Sequence, residues 1–412
     1  MASLRAPRER DTAAAHDQGV SGAFGAMSRY SLQRWRQGEL GALPVILGLV
    51  AIATYFQTQE PTFLSSRNLS NLVLQIAATG SVAVGIVLVL LLGEIDLSVG
   101  SVSGLCSAML GVLIVKSGWP WWLAILAVLA TGAAIGAFQG AWFALVGVPA
   151  FVVTLAGFLA WQGVQLRVLG STGTVNVFEP HISEIAQSYL PHLWGWALGV
   201  GAAGLYAVSL WIGQIRRRRA GLATAPVVVV AGRTVLVVAL SLASVEILSR
   251  FNGVPTAGVI LLGLVVFFSL LTTRTRFGRY IFAVGGNAEA ARRAGVSPAR
   301  IRIVVFSLAG LMAAVGGIIF VSRLTAASTQ TGGGTFLLEA IAAAVIGGTS
   351  LFGGRGSAWS ALLGALVIGS VSNGLDLMAQ PPEIKYMVEG AILLAAVTVD
   401  AVARRSRAAA GR

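Results

Sequence analysis

SNLVLQIAATGSVAVGIVLVLLL, residues 70–92, carries no charged side chain. As a helix rising 1.5 Å per residue it is long enough to cross the roughly 30 Å hydrocarbon core of a bilayer. Comparable apolar segments recur near 41–56, 97–115, 121–146, 150–169, 192–212, 226–248, 254–272, 301–321, 337–352, 357–378 and 384–402. The 412 residues are 56% hydrophobic and only 11% charged, against about 25% charged in soluble domains. The fold expected is therefore an all-α polytopic membrane protein with ten to twelve transmembrane helices. The segment 337–352 is short for a crossing and ends in GGTSLFGGRGS, which predicts a short or re-entrant Gly-rich element tolerated where protein surrounds it. Glycines spaced by four, Gly100 with Gly104 and Gly132 with Gly136 and Gly140, read as close helix packing within one subunit.

A net charge of +13 raises the possibility of a nucleic-acid partner, and its distribution argues against one. Alternating the segments across a membrane puts 22 of the Lys and Arg residues on one face and five on the other. Such asymmetry marks the cytoplasmic side. Both termini and the loop 273–302 are expected there. Residues 1–40 read as a disordered basic arm, 41–403 as the transmembrane domain with a hairpin at 192–248 turning on Arg216 to Arg219, and 404–412 as a basic tail. On the opposite face, 170–191 and the polar, flexible-looking 322–335 are either plain connections or docking surfaces.

The loop 273–302, TRTRFGRYIFAVGGNAEAARRAGVSPARIR, holds seven arginines. Its middle predicts a short helix standing in water. Asn287 suits the N-cap, Glu289 the positive N-terminal end, and Gly295 the C-terminal stop. Ser297 followed by Pro298 reads as a second helix start. A protein that only spans a membrane needs no folded helix there; one pushed by a soluble partner does.

Other polar residues fall at or inside the apolar segments. Glu94 and Asp96 follow the first run directly, where carboxylates are costly unless wet or paired. Asp96 suits a cap on a helix beginning at Leu97 and Ser98, and the pair also suits a wet, bent element on a translocation route. Gln75, Gln139, Gln162, Glu339, Asn373, Asp376 and Glu389 are scattered over many segments. Amides together with Trp142, Phe143 and Trp161 could line a path for a neutral polar solute, although interfacial or core placement is the usual fate of such aromatics. The three histidines and the single cysteine, Cys106, show no metal-ligand spacing. Neither lysine, Lys116 or Lys385, follows a glycine, so no phosphate-binding loop of the GxxxxGK[ST] type exists. No nucleophile–base motif is readable either. Any ATP and magnesium must be handled by another polypeptide.

Four motifs occur in order: GEIDLSVGS (residues 93–101), VPAFVVTLAG (148–157), VGGNAEAARRAG (284–295) and AAAVIGGTSLFGGRG (342–356). Together they resemble the permease subunits of bacterial monosaccharide ABC importers of the ribose, xylose, arabinose and galactose type, over roughly residues 60–403. The inserted hairpin, with SYLP at 188–191, is similar to the D-xylose type. Phe352 stands where smaller residues are common in that family, and Gln162 where some xylose-type members have a basic residue. The resemblance implies a bacterial inner-membrane subunit that works as a pair of copies, is fed by a periplasmic sugar-binding protein and is driven by a cytoplasmic ATPase. It implies that Gly285, Gly286, Asn287, Glu289, Ala290, Ala291, Arg292 and Gly295 form the coupling helix, entered by a sharp turn at the two glycines. It implies a translocation or signature role for Glu94, Asp96, Leu97, Ser98, Gly100, Ser101, Gly347, Gly348, Thr349, Ser350, Gly353 and Gly354. The competing reading is an ion-coupled secondary transporter of a small polar solute, which leaves the capped loop helix without a purpose.

Overall fold

A computed structural model describes residues 43–222 and 224–409. The basic arm expected over 1–40 lies outside the described residues, as do 410–412 of the expected tail. The helices are α1 (Leu43–Gln59), α2 (Ser66–Leu91), α3 (Val99–Gly111), α4 (Trp121–Ala141), α5 (Ala150–Leu169), α6 (Pro180–Gln187), α7 (His192–Arg219), α8 (Val227–Ser249), α9 (Thr256–Arg274), α10 (Arg276–Gly286), α11 (Ala288–Arg293), α12 (Pro298–Leu324), α13 (Phe336–Ile346), α14 (Ala358–Leu377) and α15 (Pro382–Ala409). A wider π-helical turn extends α3 over Val112–Lys116 and α4 over Trp142–Val146. Among the described residues, nine helices are long and apolar enough to cross a membrane, and two shorter apolar helices lie at Pro44–Gln59 and Phe336–Ile346. The segment expected at 337–352 is helical for only 11 residues before its glycines end it.

By contact the chain divides into two compact units, one over His192–Ile247 and one over the described parts of 42–191 and 248–412. The first is the inserted hairpin. Its helix α7 ends on Arg216, Arg217, Arg218 and Arg219, cations that suit the negative C-terminal end of a helix dipole. Within it, the Ser241 hydroxyl donates to the Gly199 carbonyl at 3.0 Å, and the Gln214 amide donates to the Ala225 carbonyl.

The second unit is built around α2. Ser65 caps this helix by accepting from the Asn68 N–H, and nearly every residue from Ile76 to Leu91 is buried. Asn68 and Asn373 exchange amide hydrogen bonds of 2.7 and 3.1 Å, which joins α2 to α14 while satisfying two buried amides. Helix α12 lies along α4 in close backbone contact. A Cβ on Gly136 would overlap the Phe306 carbonyl, and one on Gly310 would overlap the Gly132 carbonyl. The spaced glycines thus pack helices within one chain.

The segments expected as outer connections pair with each other. Strand β1 (Thr174–Asn176) is antiparallel to β4 (Ala326–Ser328), and β2 (Tyr189–Leu190) to β3 (Val254–Pro255). The Ser322 hydroxyl accepts from the Ala186 N–H at 2.7 Å, and the Gln165 amide donates to the carbonyls of Ser328 and Thr331, each at 3.0 Å. The flexible loop expected over 322–335 is therefore a fastened cap. Its backbone carbonyls are held by the Gln165 side chain and by the strand pairing with β1.

Gly136→Val is expected to cost about 1–3 kcal/mol or more by overpacking, read as a lowered melting temperature of the detergent-purified protein. Gly163→Ala on α5, where an added Cβ meets nothing within 4 Å, should melt at or slightly above the wild type. Equal melting of Gly136→Val and wild type would refute the close α4–α12 contact.

Candidate functional site

Three of the four motifs, those at 93–101, 284–295 and 342–356, converge at one end of α2. The short helix expected at the middle of the loop is α11, and a further helix, α10, precedes it. Thr275 caps α10 by accepting from the Gly278 N–H at 3.1 Å, and this helix buries Gly278, Ile281 and Val284 on one face. The second is α11, whose charged side chains are exposed. The Asn287 side chain accepts from the Ala290 N–H at 2.9 Å. Glu289 in the first turn pairs with Arg292 at 2.8 Å and Arg293 at 3.2 Å, all three exposed. Ala291 is buried, so one side of α11 is held to the protein. Gly295 takes φ +84, where the Val296 N–H reaches the Ala291 carbonyl and the Gly295 N–H reaches the Arg292 carbonyl, each at 3.0 Å. This pair of bonds closes the helix in the Schellman manner. Ser297 then caps α12 ahead of Pro298.

Gly285 and Gly286 correct the expectation of a sharp entry turn. Both are the last residues of α10; the chain breaks at Asn287, with φ −159 and ψ 100. Gly285 is needed for proximity instead. A Cβ there would overlap the Leu91 carbonyl and come within 3.0 Å of the Gly354 nitrogen. That same Leu91 carbonyl accepts the Gly354 N–H at 2.9 Å. A Cβ on Gly353, at φ +83, would lie 2.7 Å from the Gly285 carbonyl oxygen and 2.8 Å from the Gly93 nitrogen. Main chain from 91–93, 285–286 and 353–354 thus meets with no side chain between.

The loop from Gly93 to Ser98 continues from this junction. Glu94 lies 3.5 Å from Arg302 on α12, both partly buried, and the Arg302 guanidinium also sits 4.7 Å over the Phe143 ring. Burial raises the Glu94 carboxyl above its ordinary range and the Arg302 charge opposes that rise. Asp96 is buried. Its Oδ1 accepts from the Ser98 N–H at 2.8 Å and lies 2.7 Å from the Ser98 hydroxyl. Burial raises its carboxyl too, against the hydrogen bonds from Ser98 and the Val99 N–H. Helix α3 starts at Val99 with Ser98 at its N-cap, two residues later than the expected start at Leu97. Leu97 is half-buried.

Several of the residues given a translocation or signature role pack closely against protein. A Cβ on Gly100 would lie 2.7 Å from the Gly332 carbonyl oxygen, and the Ser101 hydroxyl donates to the Ser98 carbonyl at 2.9 Å. Gly347 presses on the Ser360 backbone. Gly348 turns the chain at φ +104. Thr349 is buried with an unpartnered hydroxyl. The Ser350 N–H donates to the Arg355 carbonyl at 3.0 Å, and its hydroxyl reaches Asp400 at 3.3 Å.

The roles of Arg302 and of the Leu91 carbonyl are not carried by any of the motifs. Arg302 is one of the seven arginines of the loop 273–302, and its partner Glu94 is 208 residues away, so nothing local announces the pair. Among the described residues no three His, Cys, Asp or Glu side chains gather as a metal site requires.

A family model described as branched-chain amino acid transport system / permease component matches residues 68–397. The xylose transport system permease protein XylH of Escherichia coli (strain K12) is 41% identical over 94% of this chain and 96% of its own length. The protein of the same name from Haemophilus influenzae is 37% identical over 87% of this chain and 94% of its own. The ribose import permease protein RbsC of Escherichia coli (strain K12) is 35% identical over 90% of this chain and 96% of its own. No solved structure matches the chain.

A double-mutant cycle with Glu94→Gln and Arg302→Met should show an interaction of about 0.5–3 kcal/mol in thermal unfolding, as expected for contacting residues. Strict additivity of the two changes would show that the ion pair contributes nothing.

Proposed function

We propose a function on one premise: the chain belongs to the branched-chain amino acid transport system / permease component family. It is a multi-pass inner-membrane permease subunit of an ATP-binding-cassette importer, and it passes a monosaccharide, D-xylose, into a bacterial cell. The xylose permeases among its relatives, similar over nearly the whole chain, support the sugar assignment. Two copies form the path, a periplasmic sugar-binding protein delivers the substrate, and a separate cytoplasmic ATPase holds ATP and magnesium. The basic loop 273–302 and both termini face the cytoplasm, in keeping with the positive-inside asymmetry.

The observation that carries this reading is the way α11 is attached. It is a capped polar helix presenting Glu289, Arg292 and Arg293 outward, and its neighbour α10 ends backbone-to-backbone on α2 and the 353–354 turn. A partner that pushes α11 therefore moves the C-terminal end of α2, the loop from Gly93 to Ser98 and the Gly-rich turn together. Packed main chain transmits displacement with little compression. Tight alternation between outward and inward access requires such a stiff link between the site of ATP binding and the spans. An ion-coupled transporter has no use for it.

The test is reconstitution of the chain with its ATPase and binding protein in proteoliposomes. Uptake of labelled D-xylose should require ATP and the binding protein. Uptake by the chain alone on a proton or sodium gradient would overturn the assignment. In the same assay Ala291→Pro, which removes the N–H bonded to the Asn287 carbonyl, should abolish uptake while the protein still inserts and purifies. Asn287→Ala should weaken the α11 cap by about 0.5–2 kcal/mol and reduce uptake less severely than the proline. Normal ATP-driven uptake by Ala291→Pro would remove α11 from the coupling role.

A further inference from the structure

Helices α4 and α5 enclose an open groove of about 390 Å³ that includes Gln139, Gly157 and Trp161. Its residues carry no charge. Two buried polar atoms there, Gln139 Nε2 and Trp161 Nε1, have no hydrogen-bond partner. Both lie against Gly157: a Cβ on that glycine would overlap the Gln139 amide and lie 3.1 Å from Trp161 Nε1. Gln139 is 2% exposed. A buried amide left unpaired inside a protein is costly and calls for a partner. The rings of Phe138 and Trp142 also line the groove and are about half exposed. The chain widens into a π-helical turn at Trp142, a distortion common at functional positions.

The hydrogen-bond arithmetic at Gln139 narrows the ligand. The Ser98 hydroxyl is 2.7 Å from Asp96 Oδ1 and 2.8 Å from Gln139 Oε1. One hydroxyl proton serves only one of two acceptors. Either the Gln139 amide keeps its nitrogen toward the groove, or it turns so that nitrogen faces Ser98 and oxygen faces the groove. In the first case the groove offers two donors; in the second it offers the indole donor and an amide acceptor. A hydroxyl group both donates and accepts, so it satisfies either arrangement. An anion fits only the first, and a cation is excluded by the indole N–H and the absence of carboxylates.

We infer that this groove is a subsite for a neutral polyhydroxylated solute, with Gln139 and Trp161 holding one hydroxyl and the exposed aromatic rings offering an apolar face. The assignment rests on the sugar-permease reading and adds to it the residues that touch the sugar. It also gives the sugar a route to the coupling junction. Gln139 contacts Ser98, Ser98 contacts Asp96, and that loop begins at Gly93, against which Gly353 packs.

Trp161→Phe keeps the ring system apolar and removes the donor, and Gln139→Leu removes the amide. In proteoliposomes with the ATPase and binding protein, each should lower ATP-driven D-xylose uptake roughly tenfold, the scale of one lost hydrogen bond. Among monodeoxy analogues of xylose, one should be taken up equally by wild type and Trp161→Phe, because the hydroxyl it lacks is the one the indole holds. Unchanged uptake in Trp161→Phe, or an equal loss for every analogue, would overturn the subsite while leaving the permease assignment intact. If Gln139→Leu does not assemble, Trp161→Phe with the analogue series decides alone. A wild-type complex without ATP-driven uptake overturns both readings.

Discussion

Main chain resting on main chain at Gly285, Leu91 and Gly354 is the contact on which the functional architecture depends. One carbonyl, that of Leu91, accepts the Gly354 N–H at 2.9 Å and leaves no room for a side chain on Gly285. Side chains that interlock through flexible tips can yield by changing rotamer. Backbone in van der Waals contact has no such freedom, and a shift on one side must appear on the other. The arrangement explains why glycine occurs in all three participating segments. It also explains why a six-residue helix carries caps at both ends: α11 has to hold its shape while a partner bears on it.

A second tie runs beside the first and is electrostatic. Arg302 at the start of α12 reaches Glu94 and lies over Phe143, so the helix that leaves the coupling segment is fastened to the loop that follows α2. Asp96 and Ser98 then fasten that loop to the start of α3 and to Gln139 on α4. Polar groups buried this deeply are costly when unpaired and directional when paired. They make the loop from Gly93 to Ser98 a fixed part rather than a hinge, and they connect it to two spans at once.

Much of the architecture was legible because membranes impose few solutions. A run such as residues 70–92 has nowhere to go but through a bilayer as a helix. The caps at Asn287, Gly295 and Ser297 were readable for a similar reason: each answers a local backbone need within three or four residues. The role of the paired glycines was not. Gly285 and Gly286 look like a turn on local grounds, and only the carbonyl of Leu91, far away in the chain, shows that the position is crowded rather than strained. The loop 322–335 misled for the same reason, since its carbonyls at Ser328 and Thr331 meet Gln165 on α5 and Ser322 meets α6.

The amino-acid sequence by itself determined the helical, membrane-spanning class, the positions of the apolar segments, and the presence of a capped basic helix without any phosphate loop to power it. Those features follow from hydropathy, charge asymmetry and short-range hydrogen bonding, which act between near neighbours. Tertiary structure alone decided that three glycine motifs share one junction, that Arg302 belongs to Glu94, and that the Gln139 amide nitrogen and the Trp161 indole nitrogen stand unpaired beside Gly157. These are distances between atoms hundreds of residues apart or on different helices. No local periodicity encodes them, because they depend on how closely helix backbones approach.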